Sequence, residues 1–205
     1  MMFYLIIKRF LDIIFGIIGC ILLVPIALII KIVYMCTGDF YTIFLKQKRI
    51  GKNGKEFTFI KFRSMIPYAE EKLDGILDAN PDLKAEYKKY KKLKNDPRLT
   101  KPGKLIRKLS IDEMPQFIHV LSGKMSLVGN RPYLPREKED MGEYFDEIVS
   151  VKPGVTGYWQ VSGRNDTTFE ERLELEREYA KKACLKLDTK IFFKTFAVVL
   201  KKRSI

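Results

Sequence analysis

A single histidine, His119, and a single tryptophan, Trp159, are all the chain holds of those residue types, and its three cysteines, Cys20, Cys36 and Cys184, form no paired spacing. An odd, unpaired set of cysteines argues against a disulfide framework or a zinc site. Any Ser-His or Cys-His nucleophile would depend on His119 alone. Within Gln116-Phe117-Ile118-His119-Val120 that residue reads as a helix-face or core side chain. There is no internal repeat, low-complexity linker, helix-turn-helix, zinc-finger or RNA-binding signature. Basic residues are scattered among carboxylates, so nucleic acid is not an expected partner.

Charge is missing altogether between Ile13 and Ile30, although Lys and Arg outnumber Asp and Glu by 38 to 25, a net charge of +13. As a straight helix this run would span roughly 27 Å, close to the hydrocarbon thickness of a bilayer. Pro25 interrupts it. Proline has no N–H for the Ile21 carbonyl and its ring clashes there, at a cost of roughly 3 kcal/mol in a helix interior. Lys8 and Arg9 precede the run, while Lys31, Lys46, Lys48 and Arg49 follow it, and basic flanks favour the cytoplasmic side. A re-entrant helix that bends at Pro25 and leaves by the face it entered satisfies both ends; a kinked spanning helix is the alternative. Exposed backbone at the bend would need protein or side-chain partners. A signal peptide fits less well, since Lys31 follows a long apolar stretch without an A-x-A site.

The remaining chain suffices for one modest core. The expected organisation is a membrane-inserted helix over residues 1–38 and a cytoplasmic-face domain over residues 39–205. Its fold class would be α+β, with a small hairpin or sheet and several helices, some amphipathic and interfacial. Beside a membrane, the net positive charge points to lipid headgroups and phosphorylated substrates.

Tyr41-Thr42-Ile43-Phe44 and Phe57-Thr58-Phe59-Ile60 read as strands around the turn Gly51-Lys52-Asn53-Gly54. Lys61 and Arg63 then share one strand face, where two cations can grip phosphate or simply be solvated. Pro67 to Lys94 reads as charged surface helices interrupted at Asn80-Pro81-Asp82. The densest chemistry follows in Arg107-Lys108-Leu109-Ser110-Ile111-Asp112-Glu113-Met114-Pro115. Ser110 with Glu113 fits a capping box, and Pro115 fits a first turn if Asp112 is the cap instead. Equally, adjacent carboxylates at a helix start with Arg107 one turn upstream fit a phosphate site. Met125 to Val128 reads as a buried strand leading into Gly129-Asn130-Arg131-Pro132, and Val151 to Asn165 as a glycine-dense loop whose backbone could approach a ligand.

Taken together, Leu109-Ser110-Ile111-Asp112-Glu113, Gly129-Asn130-Arg131-Pro132, Lys152-Pro153-Gly154-Val155-Thr156-Gly157 and Gln160-Val161-Ser162-Gly163-Arg164-Asn165 resemble the bacterial sugar transferases, monotopic phosphoglycosyl transferases acting on polyprenyl phosphate. Lys8-Arg9-Phe10-Leu11-Asp12 and the proline-interrupted helix match as well, so the resemblance covers nearly the whole chain, and the length suggests the minimal catalytic form. Three positions depart from the family pattern. Val24 stands where many relatives have serine before the proline, Asn130 where proline is usual, and Glu176 where aspartate is common.

The resemblance implies transfer of a sugar 1-phosphate from a UDP-sugar to undecaprenyl phosphate at the cytoplasmic face of the bacterial inner membrane. UMP would be released and surface glycan synthesis begun. Asp112 would be the nucleophile, forming a phosphosugar intermediate with ping-pong kinetics, and Asp112 and Glu113 would hold Mg²⁺. A carboxylate needs no base at neutral pH, which suits a chain with one histidine. Arg107 and Arg131 would grip phosphate bidentately, with Lys61 as a point charge and Arg63 beside it. Gln160, Arg164, Asn165 and Glu176 would face nucleotide or sugar. The stretch from Ile191 to Arg203, capped by Asp188, would form an interfacial amphipathic helix or an ordinary core helix. Membrane lipid, a second copy and downstream glycosyltransferases complete the expected partners. The competing functions are a basic membrane adaptor without catalysis, and a glycosyltransferase that releases UDP.

Overall fold

The computed structural model describes residues 2–163 and 167–203, with side chains through residue 198. Arg164 and Asn165 lie outside the described residues. Helix α1 (Met2–Cys36) runs through Pro25. Strands β1 (Phe44–Ile50) and β2 (Glu56–Phe62) follow, then helices α2 (Leu73–Asp78), α3 (Pro81–Tyr90) and α4 (Lys101–Lys108). A 3-10 turn over Ile111–Gln116 leads into α5 (Phe117–Leu121) and β3 (Ser126–Val128). The remainder comprises α6 (Lys138–Met141), α7 (Phe145–Val149), β4 (Gly154–Thr156), α8 (Tyr158–Ser162), α9 (Phe169–Lys182) and α10 (Leu185–Arg203).

Helix α1 has two unlike faces. Asp12, Gly16, Gly19, Leu23, Ile30 and Tyr34 are buried, a recurrence of threes, fours and sevens that makes one stripe. Leu23, Ile30 and Tyr34 join Ile43, Phe62 and Ile106 in one apolar cluster. The opposite face leaves Phe10, Ile14, Ile18, Ile21, Leu28 and Ile32 exposed, and Pro25 lies on it. Among the described residues α1 is the one helix long and apolar enough to cross a membrane. An unburied apolar face of this length marks membrane association.

Both ends of α1 are tied to the same domain. Lys8 donates to the Val128 carbonyl at 2.8 Å and pairs with Asp188, while Arg9 donates to the Val120 and Leu121 carbonyls at 2.7 and 2.8 Å. These cations, read from sequence as membrane flanks, turn inward, and Arg9 satisfies carbonyls at the end of α5. At the other end, Tyr34 donates to the Arg63 carbonyl at 2.6 Å.

A hairpin forms around the expected turn, with Phe44 facing Phe62 and Ile50 facing Glu56, but its first strand is Phe44–Ile50 and shares only Phe44 with the expected Tyr41 to Phe44. Phe57 and Phe59 are buried between exposed Glu56 and Thr58, the period-two signature of a half-covered strand. Asn53 and Gly54 turn the chain at positive φ, 57° and 75°, a conformation these residue types tolerate. Asn80 caps α3 by accepting from the Leu83 amide at 3.2 Å.

Two expectations are corrected. The segment read as a glycine-dense loop contains β4, paired parallel with β3, and the short helix α8. Two of its glycines serve backbone contact: a Cβ at Gly154 would stand 2.1 Å from the Gly129 nitrogen, and one at Gly157 2.1 Å from the Gly129 oxygen. Asp188 is not a cap either. It lies buried in the first turn of α10 and accepts from Tyr4, Lys8 and Tyr179.

Candidate functional site

The acidic pair sits on the 3-10 turn, with Ile111 and Met114 packed into the cluster that α1 and β2 share. Those anchors are three residues apart, one turn of a 3-10 helix, so they fall on one side of it. Asp112 and Glu113 are left half-buried between them. Ser110 is not a capping residue. Its backbone is left-handed, φ 55° and ψ 24°, and its side chain makes no cap bond, because a cap requires the extended conformation. Its buried hydroxyl has no hydrogen-bond partner. A left-handed non-glycine residue stores on the order of 1 kcal/mol.

Two cations, Lys61 and Arg107, feel the charge of Asp112, and Arg49 and Arg131 act on Lys61 in turn. Burial pushes the Lys61 ammonium down to about 7, helped by Arg49, Arg107 and Arg131 and opposed by Asp112. Burial and Arg131 push Arg49 down to about 9. Arg107 is also lowered by burial, and Asp112 is its strongest opposing charge. So much positive charge held out of water is costly unless an anion answers it.

Arg131 is presented by a clamped segment. The Gly154 amide donates to the Asn130 carbonyl at 2.8 Å, and the Arg131 amide donates to Glu176 Oε1 at 3.1 Å. Arg49 Nη1 donates to the Pro132 carbonyl at 3.0 Å, and the Ile50 amide to the Tyr133 carbonyl at 2.8 Å. The Arg131 guanidinium stands 6.0 Å from the Trp159 ring centroid, and its buried Nε has no hydrogen-bond partner. Gln160 Oε1 is likewise buried and unpartnered.

Arg63 is not part of this cluster. It forks onto Asp39 at 2.8 and 2.9 Å, donates to the Thr42 and Met65 carbonyls, and lies 4.5 Å over the Tyr34 ring. Strand β2 ends at Phe62, so the alternation that would align Arg63 with Lys61 stops before it. Glu176 is buried, and burial raises its carboxyl to about 7 against the pull of Arg172. His119 is a core residue, as read: its Nε2 accepts from the Ile60 amide at 3.0 Å, and burial lowers its pKa.

Sequence reasoning missed Arg49 as a member of the cluster, and Arg172 entirely. Arg172 is ringed by Phe169, Tyr133 and Trp159 at 4.6, 5.1 and 5.2 Å. The available signal was its i,i+4 spacing to Glu176 on α9, with Leu173 and Tyr179 on the same buried face.

No group of three or more His, Cys, Asp or Glu side chains that could hold a metal occurs among the described residues. Two adjacent carboxylates nevertheless fit Mg²⁺, which commonly takes one or two carboxylates and completes its shell with substrate phosphates and water. A cavity of about 670 Å³ lies elsewhere, lined by Lys88, Lys91, Tyr144, Phe169 and Leu173 among others. Charge concentration, not concavity, marks the candidate site.

A family model described as "Bacterial sugar transferase" matches residues 3–202. The chain is 43% identical over 195 residues to an uncharacterized sugar transferase of Haemophilus influenzae, covering 95% of this chain and 41% of that one. It is 43% identical over 197 residues to the undecaprenyl-phosphate galactose phosphotransferase of Salmonella typhimurium, covering 95% and 41%. It is 36% identical over 192 residues to the exopolysaccharide production protein ExoY of Rhizobium meliloti, covering 94% and 84%. The chain thus spans about two fifths of the first two relatives, 41% of each.

Proposed function

The chain belongs to the bacterial sugar transferase family, and from that premise we propose that it transfers a sugar 1-phosphate from a UDP-sugar to polyprenyl phosphate, releasing UMP. The observation that carries this reading is a buried group of cations in which Lys61 and Arg107 act on Asp112 while Arg49 and Arg131 act on Lys61. A cationic nest with a carboxylate in it suits a diphosphate that is to be attacked. The relatives, which include an undecaprenyl-phosphate galactose phosphotransferase, support the substrate class.

An Asp112 carboxylate oxygen attacks the sugar-bearing phosphorus. A P–O bond forms to Asp112 and the bond to the bridging oxygen breaks, so that UMP departs with that oxygen. A phosphate oxygen of the polyprenyl acceptor then attacks the same phosphorus and returns Asp112 as a free carboxylate. Arg107 and Arg131 hold phosphoryl oxygens in line, and Lys61 offsets charge as UMP leaves. Mg²⁺ held by Asp112 and Glu113 would supply charge neutralisation for the diphosphate.

The same reading puts the domain at the cytoplasmic face, with α1 re-entrant about Pro25. Contacts of both Lys8 and Tyr34 with the same domain support this reading over a spanning helix. Cysteine placed at residue 2 should be labelled from the domain's side of sealed vesicles; labelling from the far side alone refutes re-entry.

Chemistry is tested without acceptor. With UDP-galactose or UDP-glucose and Mg²⁺, the wild-type chain should release UMP in a burst stoichiometric with protein, and Asp112→Asn should abolish it. UMP appearing only once acceptor is present argues for direct transfer, and UDP as product argues for a different reaction.

A further inference from the structure

The membrane helix and Arg107 are joined through two consecutive backbone residues. Tyr34, fully buried in the last turn of α1, donates to the Arg63 carbonyl at 2.6 Å and lies 3.3 Å from the Thr100 hydroxyl. The next residue, Ser64, is 2% exposed, and its hydroxyl accepts from Arg107 Nε at 2.9 Å. Its carbonyl accepts from the Thr100 amide at 3.1 Å, and Thr100 in turn caps α4 by accepting from the Gly103 amide at 3.0 Å. Helix α4 lies directly on this contact. A Cβ at Gly103 would stand 1.8 Å from the Ser64 oxygen, so only glycine admits the approach.

Resting on the function proposed above, we propose that Ser64 is a positioning residue that orients the Arg107 guanidinium toward Asp112, and that Tyr34 holds Ser64 in register from the membrane helix. A long guanidinium beside a carboxylate has several rotamers open to it. A hydrogen bond at Nε, the atom nearest the chain, selects among them, as a planar guanidinium that is to grip phosphate requires. The grip on Arg63 is doubled by Asp39, which accepts from both of its terminal nitrogens. The backbone on which Ser64 stands is therefore fixed from both sides. Seating of α1 in lipid and alignment of the phosphate contact become linked across residues 34, 63, 64 and 107.

The test uses the full chain in lipid nanodiscs, with UDP-galactose or UDP-glucose as donor, undecaprenyl phosphate as acceptor and UMP release as readout. Ser64→Ala should lower kcat/KM for the donor about tenfold, the loss expected for one hydrogen bond to a charged group. Ser64→Thr, which keeps the hydroxyl, should recover most of it, and Tyr34→Phe should cost about threefold. Against an Arg107→Ala background, neither Ser64→Ala nor Tyr34→Phe should cost anything further. Equal losses in both backgrounds, or wild-type kinetics for Ser64→Ala, overturn the inference.

Calorimetric binding of inorganic pyrophosphate repeats the same cycle without turnover. Coupling of residues 64 and 107 in pyrophosphate affinity, in a chain that releases no UMP, upholds the relay and rejects the transferase reading. UMP release without coupling in either readout does the reverse.

Discussion

The Arg131 amide donates to Glu176 Oε1 at 3.1 Å, so a buried carboxyl on α9 fixes the start of the segment that delivers Arg131 to the basic cluster. The arrangement spends a buried charge on backbone geometry. Both effects follow from the same side chain and separate with pH.

Glu176 is raised by burial from 4.5 to about 7. Across that window the folded chain holds the proton more tightly than the unfolded one, so this group's contribution is fully present below 4.5 and lost as pH rises through about 7. Lys61 is lowered by burial from 10.5 to about 7. There the unfolded chain holds the proton more tightly, so stability recovers as pH rises from about 7 toward 10.5. A shallow minimum in melting temperature near neutral pH is expected. Glu176→Gln should flatten the acid limb and Lys61→Met the alkaline one, read by thermal unfolding in detergent. Wild-type profiles from both variants would refute the two assignments.

Asp39 and Arg63 carry a second expectation, because the fork between them is structural. The Arg63 side chain is 6% exposed, and removing one partner leaves the other buried and unpaired. Asp39→Ala should cost on the order of 2–3 kcal/mol of stability. Donor kcat/KM should fall no further than for Tyr34→Phe, about threefold, since the pair lies outside the cluster around Asp112 and acts on it only through the backbone of Ser64. A large rise in KM with unchanged urea midpoint would restore Arg63 to the phosphate site.

What was legible in the sequence followed local periodicity. The hairpin, the helices interrupted at Asn80-Pro81-Asp82, the buried His119 and the long apolar helix each announce themselves within a dozen residues, through alternation, breaker residues or absence of charge. The family motifs also led to Asp112 and Glu113. Side chains whose task depends on distant partners were not legible. Arg63 looked like a neighbour of Lys61 because strand alternation was extended one residue past Phe62. Lys8 and Arg9 looked like membrane flanks because their acceptors, the Val128, Val120 and Leu121 carbonyls, lie more than a hundred residues away. Arg49 and Arg172 were missed because tertiary packing, not their neighbours in sequence, makes them significant. Gly154 and Gly157 suggested a ligand when their demand was for the backbone of Gly129.

Gly19 and Phe117 show how closely α1 is fitted to the turn that carries the acids. A Cβ at Gly19 would stand 2.2 Å from Phe117 Cγ, well inside contact distance. Phe117 is the first residue of α5, directly after the 3-10 turn over Ile111–Gln116. Alanine would be favoured over glycine by about 1 kcal/mol in a helix interior, yet overpacking costs about 1–3 kcal/mol, so the net sign is set by whether the ring can retreat. The position of Phe117 Cγ, one bond from Cβ, leaves rotation little scope to help. Gly19→Ala should therefore lower both melting temperature and UMP release, with the second effect arising because a displaced α5 moves Asp112. Phe117→Ala, which removes Cγ and the ring, should restore part of both losses in the double variant while itself costing stability in the wild-type background. Additive losses in the double variant would show that α1 and the acidic turn are not in contact as described.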